Sequence, residues 1–192
     1  MTTTHRWPVP VDRSSDWDAG IAFETFLPTA DKNTDLWSRT GRLPTPPDVL
    51  ARVAALPGAW RLLVLSEDWC GDAANTVPVL ARLADEAPTL ELRLLARDGH
   101  LDLMDEHLTG ERRSRSIPVA LLLDADGREH AWWGPRPAAL QAWFLSPEAQ
   151  ALATDERYRE LRKWYARDRG RTTLDEVVTM LEAAATPPPA AR

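Results

Sequence analysis

A mixed α/β sheet of four strands with helices on both faces is the fold class this sequence predicts, and three observations predict it. Residues 60–66 form a largely apolar run (Trp60, Leu62, Leu63, Val64, Leu65), too short for a helix and of the kind found in strands buried on both faces. Residues 71–86 then carry Val77, Leu80 and Ala84 at helical spacing, and residues 90–97 return to a Leu-rich alternation. Residues 118–124, the turn signal Asp124-Ala125-Asp126-Gly127 and residues 128–133 read as a hairpin. The resulting order is strand, helix, strand, helix, hairpin, helix. One right-handed parallel crossover plus one hairpin satisfies it.

The flanking elements follow from local signals. Residues 1–15 are rich in Pro, Thr and Ser and predict an irregular lead-in, with Trp7 as its one large anchor. Ser15 or Asp16 can cap a short helix that carries Trp17, Ile21, Phe23 and Phe26 and ends near Pro28. A second short helix holds Leu36 and Trp37. A third begins at Thr45 with Pro46 in its first position, and Pro57-Gly58 stops it. Within the main domain, residues 101–108 form a short helix and Gly134-Pro135 ends the hairpin. Beyond it, residues 136–145 are helical, Ser146-Pro147 caps a further helix to about Gly170, and Thr172 with Asp175 opens a last one with Leu174, Val177, Val178 and Leu181 inward. The expected organisation is a helical extension over 1–58, a domain with additional C-terminal helices over 59–185, and a disordered tail over 186–192.

Composition narrows the function. With 192 residues, 44% hydrophobic and 27% charged, the chain has the length of one domain plus extensions, not that of a disordered or collagenous protein. It lacks a run of about 18 apolar residues and the apolar core of a secretory signal, so a cytoplasmic protein without a membrane partner is expected. The net charge of -6 argues against nucleic acid as the main partner. A single cysteine, Cys70, excludes an internal disulfide, and any redox chemistry must pass through another molecule. His5, His100, His107 and His130 are scattered without ligand spacing, so no metal site is expected. A hydrolase pairing Cys70 with His107 is the remaining use for a histidine. Residues 155–171 hold seven basic and four acidic side chains around Tyr158, Leu161 and Tyr165, which reads as a solvated face over a docked stripe.

Cys70 lies where the first strand hands over to a helix. Unpaired N–H groups and the positive end of the helix dipole favour a thiolate there, lowering a thiol from its free value of about 8.5. Arg112, Arg113 and Arg115 add cations that could lower it further, or hold the carboxylates of a thiol co-substrate. Glu67, Asp68 and Asp72 are the neighbouring carboxylates, more often solvated than catalytic. Two readings remain open: Cys70 is a nucleophile, or it is a small buried hydrophobe.

Trp69-Cys70-Gly71-Asp72-Ala73 resembles the W-C-G-D-C motif of bacterial thioredoxin-like proteins. Pro78 matches the proline in the active-site helix of thioredoxins, Arg115-Ser116-Ile117-Pro118 resembles their R-x-I-P segment, and Gly134 matches the glycine beside the substrate groove. The resemblance spans residues 60–145 and implies a thioredoxin-like fold with Pro118 in a cis peptide facing the sulfur. It also implies that Cys70 is catalytic and that Trp69, Gly71, Asp72, Arg115, Ile117, Pro118 and Gly134 bind substrate. Two positions depart from the pattern: Ala73 replaces the resolving cysteine, and Val64 replaces the buried aspartate. The function expected is monothiol exchange with protein or small-molecule disulfides, with an external low-molecular-weight thiol as co-substrate and no bound cofactor. The alternative is a redox-inactive binding or adaptor module.

Overall fold

The structure is a computed structural model that describes residues 4–186. Its six-stranded sheet has the order β1 (Thr4–Asp12), β6 (Arg128–Trp133), β5 (Val119–Asp124), β3 (Trp60–Ser66), β4 (Leu90–Ala96), β2 (Ile21–Ala22). The centre is β3, parallel to β4 and antiparallel to β5, which pairs with β6. These are the four strands expected from the apolar runs. Leu62, Leu63, Val64 and Leu65 are all fully buried, because a central strand has neighbours on both edges and side chains covered on both faces.

The two added strands come from the N-terminal segment. Residues Thr4–Asp12 form β1 along the open edge of β6, where an irregular lead-in was expected. Its pairing holds at Thr4, His5 and Arg6 and again at Val11 and Asp12, with an irregularity between. Pro8 and Pro10 fall in that gap, where no N–H is demanded by the partner strand. β1 also explains why Trp132 and Trp133 are both buried and do not alternate between core and surface: β6 is an inner strand. The expected helix from Asp16 to Pro28 is split into α1 (Ser14–Ala19), β2 (Ile21–Ala22) and α2 (Phe23–Phe26). Gly20 makes the break, passing so close to β4 that a Cβ there would stand 2.9 Å from that of Arg93.

Helices flank the sheet. α3 (Thr34–Thr40) packs on α5 (Gly71–Glu86), and α10 (Arg171–Ala185) packs on α5, on β6 and on α4 (Pro47–Ala54). The fourth helix starts one position later than its Thr45 signal, with Pro46 as its cap. α6 (Leu101–Glu106) precedes the loop to β5. After β6, α7 (Ala138–Phe144) and α9 (Thr154–Asp168) build a small second core of Leu140, Leu161 and Tyr165 with Trp143, Phe144 and Trp164, and α8 (Pro147–Ala151) packs on α7. The tail expected at 186–192 lies, beyond Thr186, outside the described residues.

Candidate functional site

Cys70 is the N-cap of α5, with φ -80° and ψ 113°. In that position its Sγ accepts the Ala73 N–H at 3.5 Å and donates to the Ile117 carbonyl at 3.4 Å. The second contact joins the sulfur to the loop before β5, where the Ile117–Pro118 peptide is cis as the resemblance implies. Gly134 closes the same loop from β6. Its φ of +148° is foreign to side-chain-bearing residues, and a Cβ there would stand 2.2 Å from the Pro118 carbonyl oxygen.

A cleft of about 500 Å³ opens over the sulfur. Trp69, Cys70, Gly71, Asp72, Arg115 and Ile117 all line it, whereas Pro118 and Gly134 are buried against one another beneath it. Trp69 is half exposed, with the Arg97 guanidinium 5.2 Å from its ring centroid. Arg112 and Arg113 are exposed and do not line the cleft.

Burial reverses the expected effect on the thiol. Cys70 is only 8% exposed, and its removal from water pushes the thiol up to about 11 from an ordinary 9.0. The Ala73 N–H opposes this, but the neighbouring Asp72 charge adds to it. Of the cations expected to lower it, Arg112 and Arg113 stay outside the cleft and Arg115 is already engaged. Arg115 forms a two-pronged ion pair with Asp105 at 2.6 and 2.7 Å, outside the cleft. Arg136 does face the sulfur from the cleft wall and favours the thiolate, but its Nη2 lies 2.5 Å from Asp72.

Sequence reasoning missed the group that organises this wall. Asp72 is buried, its Oδ2 held by Arg136 and its Oδ1 accepting the Tyr165 hydroxyl at 2.8 Å. Arg136 in turn donates to Gln141 and lies 4.2 Å from the Phe144 ring centroid. The Tyr165 phenol is raised well above its ordinary value, first by burial and then by the Asp72 charge, so it stays a donor. The signals were present in the chain: Arg136 follows Gly134-Pro135, and Tyr165 belongs to the Tyr158-Leu161-Tyr165 stripe. What brings Tyr165 to Asp72 is a helix, α9, folded back from 93 positions away.

The other candidate bases are occupied as well. Glu67 accepts the Asp98 N–H, and Asp68 Oδ2 accepts the N–H groups of Asp31 and Lys32. The Asp68 carbonyl accepts from Trp37 Nε1 and Asn33 Nδ2, so the N-terminal segment pins the loop that carries Trp69 and Cys70. His107 is not paired with Cys70. Its Nδ1 meets the Leu103 carbonyl and its Nε2 meets Glu129, both at 2.7 Å.

A strand-to-helix cysteine capping its own helix, opposed by a cis-proline loop under an open cleft, defines a protein with the thioredoxin fold. The thioredoxin family model matches residues 20–157, and the chain belongs to that family. Among solved structures, a crystal structure of a protein of unknown function, PA1234 from Pseudomonas aeruginosa, is 22% identical with a TM-score of 0.71, covering 91% of this chain and 99% of that one. An HIV epitope-scaffold of the 4E10 series is 18% identical with a TM-score of 0.70, covering 90% and 99%. At these identities the likeness is one of fold. None of the curated proteins compared with the chain matches it.

Proposed function

We propose that this thioredoxin-family protein carries out monothiol thiol–disulfide exchange through Cys70, acting on protein or small-molecule disulfides. The observation that supports this most is the position of Cys70: it lines an open cleft, caps α5 and faces the loop before Pro118. Cys70 loses its proton to solvent base, since Glu67, Asp68 and Asp72 are all held in other hydrogen bonds. The thiolate attacks a disulfide R–S–S–R′; a Cys70–S–R bond forms, the S–S bond of the substrate breaks, and R′S⁻ leaves and takes a proton. With Ala73 in the second motif position, an external low-molecular-weight thiolate attacks the R sulfur, forming a new disulfide with it and returning the Cys70 thiolate. Each cycle exchanges one disulfide for another with no net oxidation.

A second reading, a binding module without redox turnover, is favoured by one observation: burial holds Cys70 as a thiol at neutral pH. Intact-mass measurement separates the two. Incubation with an oxidised small thiol at mildly alkaline pH is expected to add one thiol per chain, reduced thiol to remove it, and Cys70→Ser to abolish it. A chain that stays unmodified while folded supports the binding module instead.

A further inference from the structure

The cleft over Cys70 does not end at the sulfur. A second recess of about 470 Å³ continues from it, and Leu36, Asn75 and Arg162 line both. Leu36 is on α3, Asn75 on the second turn of α5, and Arg162 on α9, so the two recesses form one groove between α3 and α9. Its floor is apolar, built by Leu36, Leu43, Leu161 and Ala166. Six arginines line it, of which Arg97, Arg115 and Arg136 are paired with Asp98, Asp105 and Asp72, so its free charge is positive and comes from Arg39, Arg162 and Arg169. Arg162 at the junction of the recesses, and Arg39 and Arg169 in the second one, are exposed and form no ion pair among the described residues; Arg39 only donates to the backbone carbonyl of Asp35. All this sits on a chain whose net charge is -6.

We infer that this groove binds an extended acidic polypeptide segment, with carboxylates on Arg39, Arg162 and Arg169 and apolar side chains on the floor. A compact anion would fill one recess. A groove that runs on from the sulfur, with cations beyond it, suits a chain whose charges lie several residues from the disulfide it presents. The inference names the substrate class of the exchange reading and rests on that reading only for the disulfide; binding itself needs no reaction. Nucleic acid is disfavoured, because the exposed aromatic rings, Trp69 and Tyr158, stand only at the Cys70 end and leave the arginine end without a stacking surface.

Fluorescence anisotropy of the full chain with a short, cysteine-free Glu/Leu peptide tests this. Measurable affinity is expected, weakening with salt and absent for the Lys/Leu counterpart. Arg39→Glu with Arg162→Glu should lower it roughly tenfold, while the Lys pair of substitutions retains most of it. Equal binding of the acidic and basic peptides, no loss on charge reversal, or tighter binding of a single-stranded oligonucleotide of equal charge would overturn the inference. Peptides carrying a disulfide separate the two readings. If the acidic peptide binds in a charge-dependent way but no mixed disulfide forms at Cys70, the groove stands and exchange fails. If acidic and basic disulfide peptides react equally and charge reversal changes nothing, exchange stands and the acidic preference is wrong.

Discussion

Cys70 shows how two opposing effects are decided by their size. A helix N-terminus and an N–H at 3.5 Å favour the thiolate, typically by a few tenths to about 1 kcal/mol at an exposed site, whereas burial of the charge costs more than that. The thiol is therefore expected to titrate near 11, and the rate of alkylation against pH should rise through the alkaline range without a plateau near neutrality. Because the folded-state value lies above the ordinary 9.0, the associated stability is intact below about pH 9 and is lost as the pH rises through about 11. Asp72→Asn removes the adjacent negative charge and leaves Arg136 unneutralised, so it should move the alkylation midpoint downward while destabilising the fold by about 3–5 kcal/mol. An unchanged midpoint would mean that the Asp72–Arg136 pair does not act on the sulfur. The place of Cys70 at a strand-to-helix junction was legible in the sequence. Its protonation was not, because the Asp72 group and the cleft wall are completed by Arg136, Leu161 and Tyr165, brought in by later elements.

At the level of elements, the first turn of α5 sets what a second sulfur would do. The Ala73 N–H reaches Cys70 Sγ, so residues 70 and 73 share a face, with Cα atoms about 5–6 Å apart and within disulfide range. Ala73→Cys is expected to close a bridge to Cys70 under mild oxidation and to raise turnover in a disulfide-reduction assay above that of the native chain. A mutant that remains a free dithiol under oxidant would contradict the capped-turn geometry. The same geometry explains the elements that sequence patterns read well: buried central strands and α5 announce themselves by apolar runs and helical spacing. β1 does not, since an edge strand broken by two prolines pairs through backbone groups at its ends and carries no alternating signature.

Across the whole molecule, buried polar groups tie the N-terminal segment to the hairpin. Glu129 is fully buried, and its oxygens meet Trp7 Nε1 at 2.8 Å, Arg13 Nε at 2.8 Å and His107 Nε2 at 2.7 Å. Arg13 also pairs with Glu106, which links β1, α6 and β6 through one network. Glu129→Ala removes the buried acceptor shared by Trp7, Arg13 and His107, leaves Arg13 only its pair with Glu106, and should cost about 3–5 kcal/mol in denaturant unfolding. A loss below about 1 kcal/mol would show that β1 is not docked as described. By contrast, the partly exposed Arg52 pairs with Asp175 and Glu182, between α4 and α10, belong to the class worth at most about 1 kcal/mol each. This network was invisible in the sequence, where Glu129 reads as one more polar residue of a hairpin and His107 as a scattered histidine. Its partners come from segments more than a hundred positions apart.

Single-turnover release of a leaving thiol from an activated aryl disulfide, followed by stopped flow from neutral pH to about pH 10, bears most directly on Cys70 as the exchanging sulfur. One equivalent of thiol per folded chain is expected, with a rate that rises with pH across that range and no release from Cys70→Ser. A folded chain that releases no thiol at about pH 10, or a Cys70→Ser variant that releases as much, would contradict exchange through Cys70.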